Sequence, residues 1–241
     1  MTTSDDKKQK LLEVKNASIS INEQTLLENI NISVEEGEFV YIIGRVGSGK
    51  SSLLKTLYAE MEYDEGEAHV MGHDLMKLKR RHIPALRRQM GIVFQDFALL
   101  RRSTVAQNLD FVLRATGWKH KDERLARIKE VLDLVGLEDR IDRFPHELSG
   151  GEQQRIAIAR SILNHPRLIL ADEPTGNLDH ETARAITALL HSFTEKGTAV
   201  VMVTHNMSHL KHFPGKVYEC REHTVKEVVK HAEPVEAVAQ E

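Results

Sequence analysis

Apolar and polar residues alternate from Leu12 to Ile21 and again from Leu26 to Val34, where the pattern stops at Glu36-Gly37. A period of two is that of strands with one buried face, and two such runs in succession predict an antiparallel pair. Phe39-Val40-Tyr41-Ile42-Ile43 does not alternate: five apolar residues run straight into a glycine-rich stretch, as expected of a strand covered on both faces. Runs of the same kind lie at Gly91–Gln95, Leu168–Asp172 and Ala199–Thr204. Strands separated by helical stretches predict an α/β fold with a mixed, mainly parallel sheet and an antiparallel β-subdomain at its start.

Between Phe97 and Leu163 the period lengthens to that of a helix. Leu125, Ile128, Val131, Leu132 and Val135 share one face before Gly136 ends the run. The span 97–165 is therefore expected to be a helical subdomain inserted in a single domain covering 11–229. There is no internal repeat and no Pro/Gly/Ser linker. The ends, 1–10 and 230–241, are polar or poor in bulky apolar groups and are expected to be mobile.

With 241 residues, 41% of them hydrophobic, the chain can bury a large core. Lys and Arg number 33 against 36 Asp and Glu, a formal charge of -3, so no overall basic field favours nonspecific binding to polyanions. The lone cysteine, Cys220, has no intramolecular disulfide partner and is read as an inert thiol in a reducing compartment. The best apolar run, Ala199–Val203, falls far short of the roughly 20 residues of a membrane span, and the polar, partly acidic start is unlike a secretory signal. A cytoplasmic protein is expected, held at a membrane only by a partner.

The first chemical motif is Gly44-Arg45-Val46-Gly47-Ser48-Gly49-Lys50-Ser51, placed directly after the Phe39–Ile43 strand and before a helical run from Ser52 to Ala59. Its glycines let backbone N–H groups curl around phosphate oxygens, and the helix start points its positive dipole end at the same anion. Lys50 is expected on the β and γ phosphates and the Ser51 hydroxyl on Mg²⁺, with Ser52 at the edge of the cradle. Asp172 closes the strand Leu168–Ala171, the position from which a carboxylate can hold that Mg²⁺ through water. Glu173 follows, and strand alternation would turn it toward an attacking water.

Leu148-Ser149-Gly150-Gly151-Glu152-Gln153-Gln154-Arg155 opens another helix, Gln153–Leu163, again with N–H donors and a hydroxyl at its N-terminus. With the phosphate loop, this octet resembles the ATP-binding-cassette (ABC) ATPases across nearly the whole chain. Gln95, the pair Asp172 and Glu173, the Asn177-Leu178-Asp179 loop and His205 stand in that family's order. The resemblance implies a P-loop NTPase fold that binds ATP and Mg²⁺. It also implies a homodimer in which Ser149, Gly150, Gly151 and Glu152 of one copy close over ATP on the phosphate loop of the other. Glu173, His205 and Gln95 are then the catalytic set, Gln95 also a metal ligand, and Asp179 a dimer contact.

Within the family, Gly72-His73-Asp74, Leu86-Arg87-Arg88-Gln89 and Phe94-Gln95-Asp96 resemble the cell-division cassettes more than the lipoprotein-release or macrolide-export ones, which stay as alternatives. That branch implies an integral membrane partner, resting near Gln95–Arg102 against Phe97, Leu99, Leu100, Arg101 and Arg102. Ile21 stands where the family places the aromatic that stacks on adenine, so nucleotide binding is expected to discriminate poorly between bases. The basic run Lys77–His82 with Arg87 and Arg88 raises nucleic-acid handling as another class. Without coiled-coil heptads or Cys pairs between the two motifs, a solvated helix face is the reading kept. His205, His209 and His212 lie at near-helical spacing but lack an acidic or Cys ligand to complete a metal set; His209 and His212 are read as solvated. A cassette that binds nucleotide without turnover remains the third class.

Overall fold

A computed structural model describes residues 9–228. Residues 1–8 and 229–241, which hold nearly all of the two expected mobile ends, lie outside the described residues; Lys10 already belongs to the first strand. The two alternating runs form β1 (Lys10–Ile21) and β2 (Gln24–Glu35), paired antiparallel as expected. The continuous apolar runs form β3 (Phe39–Gly44), β6 (Met90–Val93), β7 (Leu168–Asp172) and β8 (Ala199–Thr204). Four strands escaped the sequence reading: β4 (Glu65–Val70), β5 (His73–Asp74), β9 (Lys216–Arg221) and β10 (Thr224–Glu227). In β4 only Ala68 and Val70 are buried, too few for a visible period.

The ten strands form one sheet in the order β5-β4-β1-β2-β10-β9-β3-β8-β7-β6. Strands β9, β3, β8, β7 and β6 run parallel to one another, β1, β2, β4 and β5 make an antiparallel wing, and β10 joins the two, antiparallel to β9 and parallel to β2. Helices α1 (Lys50–Leu57) and α2 (Ile83–Arg87) are followed by three between β6 and β7: α3 (Val105–Ala115), α4 (Lys121–Leu134) and α5 (Gly150–Ser161). Helices α6 (His180–Ser192) and α7 (His209–His212) follow β7 and β8.

The apolar strands serve two cores at once, because successive side chains leave a strand on opposite faces. Val40 and Ile42 of β3 join Leu53, Leu54 and Leu57 of α1 in one cluster. Phe39, Tyr41 and Ile43 join Leu109, Leu113, Val131 and Ile158 of the helices in the other. At about 1.5–3 kcal/mol for each large apolar side chain buried, this double coverage fixes the central strands rigidly.

The structure moves several sequence-based boundaries. Helix α1 starts at Lys50, two residues before the expected Ser52, because Gly49 at φ 91 lets the chain turn into the helix one step after the loop. Strand β6 ends at Val93, so Gln95 lies in the turn beyond it. On α4, Ile128, Val131 and Leu132 are buried, but Leu125 is 42% exposed and the buried side chain one turn in is Arg127. The basic run forms two 3-10 turns and α2 rather than one helix face. Arg87 is not solvated there: Nε donates to Tyr58 O at 2.9 Å, and its guanidinium lies over the Tyr58 ring.

Candidate active site

In the parallel core the strand ends are level: Ile43 pairs with Thr204, Asp172 with Val203, and Val93 with Ala171. The segments leaving those ends therefore sit side by side at one edge of the sheet: the Gly44–Ser51 loop after β3, His205 after β8, Asp172-Glu173 from β7, and Gln95 after β6. The outer edge at the carboxyl ends of parallel strands is where open α/β sheets bind ligands.

The loop is shaped for close approach. Gly44, Gly47 and Gly49 have φ of 150, 80 and 91. A Cβ at Gly44 would stand 2.5 Å from Cys220 O, so no other residue fits beside β9. Arg45, Val46 and Gly47 are exposed, while Lys50 is buried and its Nζ donates to the carbonyls of Gly44 (3.0 Å) and Arg45 (2.9 Å). The ammonium is thus stationed inside the curl of its own loop. The buried Ser48 hydroxyl has no hydrogen-bond partner among the described residues, a polar group left over for a ligand.

Ser51 Oγ donates to Asp172 Oδ1 at 2.9 Å, across 121 residues of sequence. Burial lifts the Asp172 carboxyl above the usual carboxylate range, and the neighbouring Glu173 charge adds to this against the Ser51 hydrogen bond. A carboxylate so placed is short of positive charge. A hydroxyl and a carboxylate in contact are hard oxygen donors that suit Mg²⁺, which takes few protein ligands and completes its octahedron with phosphate oxygens and water. The residues present therefore fit the ion. Gln95, also expected as a ligand, is exposed in its turn and makes no side-chain hydrogen bond to Ser51 or Asp172 among the described residues.

Glu173 reaches its place by a different route from strand alternation. It lies past the end of β7 with φ 44, held there by its N–H donating to Val203 O at 3.1 Å. That left-handed turn carries the side chain across to β8, where Oε2 accepts from His205 Nδ1 at 2.8 Å. A left-handed non-glycine residue costs roughly 1–2 kcal/mol, which the surrounding structure must hold.

At the start of α5, Ser149 and Glu152 form a reciprocal cap: Ser149 Oγ accepts from Glu152 N, and Glu152 Oε2 accepts from Ser149 N at 2.8 Å. Arg140 Nε donates to Glu152 Oε1 at 2.9 Å, and this partner, with the Ser149 N–H, pulls the Glu152 carboxyl down to about 2. A Cβ on Gly151 would press to 2.6 Å from Thr182 on α6, and Gly150 abuts Leu178. Asp179 caps α6 through Thr182 N at 2.9 Å. Within one chain, then, Ser149–Glu152 packs on the Leu178–Thr182 corner. No hydrogen bond joins it to the Gly44–Ser51 loop among the described residues.

A family model for the ABC transporter matches residues 27–176, well over half of the chain. The chain belongs to the ABC transporter ATPase family. It is 46% identical over 185 residues to the cell division ATP-binding protein FtsE of Streptococcus pneumoniae, covering 77% of this chain and 80% of that one. Identity to the protein of the same name from Mycobacterium tuberculosis is 48% over 180 residues, or 75% and 78% of the two chains. Among solved structures, the ATP-binding cassette MJ0796, a dimer in a post-hydrolysis state bound to ADP and Pi, superposes with a TM-score of 0.80 at 34% identity. That match covers 90% of this chain and 97% of the cassette.

Several residues that hold the elements around this candidate site were invisible to motif reading. Arg127 of α4 is buried and donates through Nε to Leu163 O at 2.9 Å and through Nη2 to Ile162 O, closing the C-terminal end of α5. Arg160, on the last turn of α5, holds the carbonyls of Phe97 and Ala98 in the loop after Gln95. His209 corrects the reading that made it solvated: it is 4% exposed, with Nδ1 3.2 Å from Thr187 Oγ1 and Nε2 3.3 Å from Thr175 Oγ1. The position of Arg127 beside Ile128, on the apolar face of the predicted helix, was the one weak hint for it; His209 gave none.

Proposed function

We propose that the chain is the ATP-hydrolysing subunit of a membrane ABC complex of the cell-division FtsE–FtsX type, working as a homodimer closed by nucleotide. The observation that carries the reading is the meeting, at one sheet edge, of the Lys50 ammonium, the Ser51–Asp172 pair at 2.9 Å and the Glu173–His205 pair at 2.8 Å. Lys50 and the N–H groups from Gly44 to Ser52 would neutralise the triphosphate. Ser51 and Asp172 would hold Mg²⁺, which would supply charge neutralisation to the phosphates. Glu173 would accept a proton from water as its oxygen bonds to the γ-phosphorus and the bond to the β-phosphate oxygen breaks. His205 would orient Glu173 and meet the γ-phosphate. Ile21, at the end of β1, would lie against the base.

Similarity to a dimeric cassette supports the two-chain arrangement, with Ser149, Gly150, Gly151 and Glu152 meeting the other copy's nucleotide and Asp179 facing the other copy. Similarity near 46–48% to proteins named FtsE supports the cell-division branch and a membrane partner resembling FtsX. For that partner the chain offers a groove of about 370 Å³ between α2, β6, α3 and α5, lined by Arg87, Arg88, Ile92, Val112 and Arg160. Beside it Leu100, Arg101 and Arg102 are exposed, whereas Leu99 packs into the core. Among the described residues no helix is long and apolar enough to cross a membrane. The domain span 11–229 and its inserted helical part 97–165 belong to the same proposal.

The test is the substitution Glu173→Gln. Phosphate release should fall by at least 100-fold while ATP-bound protein elutes as a dimer in size-exclusion chromatography. Equal turnover in wild type and variant, with no ATP-dependent dimer in either, ends the hydrolase reading and leaves a scaffold.

A further inference from the structure

Strand order brings three tips together. Across β1-β2-β10-β9-β3, Ile21 ends β1 and Leu26 lies near the start of β2 on either side of their turn, the β9–β10 turn carries Glu222 and His223, and β3 opens into the phosphate loop. Because Gly44 pairs with Cys220 and Thr224 with Glu28, the β9–β10 tip lies at the phosphate-loop end, between that loop and Ile21. A groove of about 240 Å³ there is lined by Leu26, Arg45, Val46, Gly47 and His223.

The tip itself is unusual in its residues. Arg221 pairs with Thr224, so Glu222 and His223 form a two-residue hairpin turn, with φ of 50 and 60. A turn with both central residues left-handed favours Asn-Gly or Gly-Gly, and neither residue here is one of those. His223 is moreover tied down: Nδ1 lies 3.1 Å from Leu26 O, and its own carbonyl accepts from Glu28 N at 2.7 Å. A strained, anchored ring beside the groove at the phosphate loop is the kind of backbone cost that collects at ligand sites. Meanwhile Ile21 is 43% exposed and offers no ring.

We infer that the His223 imidazole supplies the planar contact for the nucleotide base that Ile21 lacks. The inference rests on the ATP-binding reading of the same site. The base would run from the phosphate loop over the β9–β10 tip toward Ile21. There an imidazole face gives dispersion to adenine and guanine alike, so the contact favours purines without choosing between them.

The experiment measures binding of ADP and of inorganic triphosphate to the full-length wild type, to His223→Gly and to Ile21→Tyr/His223→Gly. Glycine suits the turn, so His223→Gly should melt at or above the wild-type temperature. Its ADP affinity should nonetheless fall about 3- to 10-fold while triphosphate affinity stays unchanged. In the double variant the tyrosine should restore ADP affinity. Ring-proton shifts of His223 on adding ADP to the wild type give a readout independent of any substitution. Unchanged ADP affinity in His223→Gly, or equal losses for ADP and triphosphate, overturns the assignment. Failure of the wild type to bind either ligand overturns the ATP-binding reading beneath it.

Discussion

Arg160 Nη2 donates to the carbonyl oxygen of Phe97 at 2.9 Å, so the last turn of α5 grips the loop leaving β6. A second arm of the guanidinium holds Ala98 O, and Phe97 and Ala98 both have positive φ, 60 and 48. The helix that begins with Ser149 thus ends by fixing the segment that follows Gln95. Arg160→Met should release that loop, raising amide exchange across residues 94–103 by tenfold or more. Adding Ala98→Gly, which tolerates the left-handed backbone, should recover part of the lost melting temperature. Exchange unchanged in Arg160→Met would show that the loop holds its shape without the arginine.

Arg127 closes the same helix from the other side. Its buried guanidinium donates to the carbonyls of Ile162, which also accepts from His165 N, and of Leu163, which the end of α5 leaves without a helical partner, and it pairs with Glu130 at 2.8 Å. Arg127→Leu keeps much of the volume but strands the Leu163 carbonyl and leaves Ile162 O only its bond from His165 N, so a loss of about 1–3 kcal/mol is expected in urea denaturation. A loss below about 0.5 kcal/mol would mean that water replaces the arginine.

How far the sequence reaches is visible in these two arginines. The phosphate loop, the Asp172-Glu173 pair and the Ser149 octet depend on contiguous residues and short spacings, and they are legible because backbone curvature and helix starts are local. The central strands are legible because burial on two faces leaves unbroken apolar runs. The arginine clamps and the His209 pocket are set by partners 22 to 63 residues away, which local spacing barely registers, and strands β4, β5, β9 and β10, two to six residues long, are too short to show a period. Glu173 is the mixed case. Its identity as a candidate base was readable, but the left-handed turn that aims it at His205 comes from the Val203 carbonyl on the next strand.

His209 offers a pH-dependent measurement. Thr187 Oγ1 donates its only proton to Ala183 O at 2.9 Å, so it can only accept from the imidazole, and Nδ1 carries the proton. Nε2 then accepts from Thr175, two residues beyond Glu173. This arrangement needs the neutral ring. Burial pushes the His209 pKa below its usual value, with His180 and His212 pushing the same way. The unfolded chain therefore binds this proton at higher pH than the folded one. Its contribution is complete above about pH 6.5 and declines as pH falls toward the depressed folded value. Urea midpoints measured from pH 8 to pH 5 should fall more steeply for wild type than for His209→Gln. Parallel slopes would remove His209 from the account.

The last expectation concerns Cys220, whose place against Gly44 makes it part of the phosphate-loop wall. Its side chain is 2% exposed, and burial pushes the thiol pKa up to about 12. At pH 8 the thiol is overwhelmingly protonated, and its side chain is almost wholly covered. The folded protein should therefore leave a disulfide reagent such as DTNB unconsumed for hours at pH 8, and one thiol per chain should react at once in 6 M guanidinium chloride. Because Gly44 and Cys220 pair in the sheet and Cys220 lines a groove with Arg45 and Ser48, reaction under native conditions would report an opening of the wall behind the phosphate loop. Rapid native labelling that nucleotide does not slow would show that this wall is not closed. Labelling that ADP suppresses would instead measure how often the loop opens.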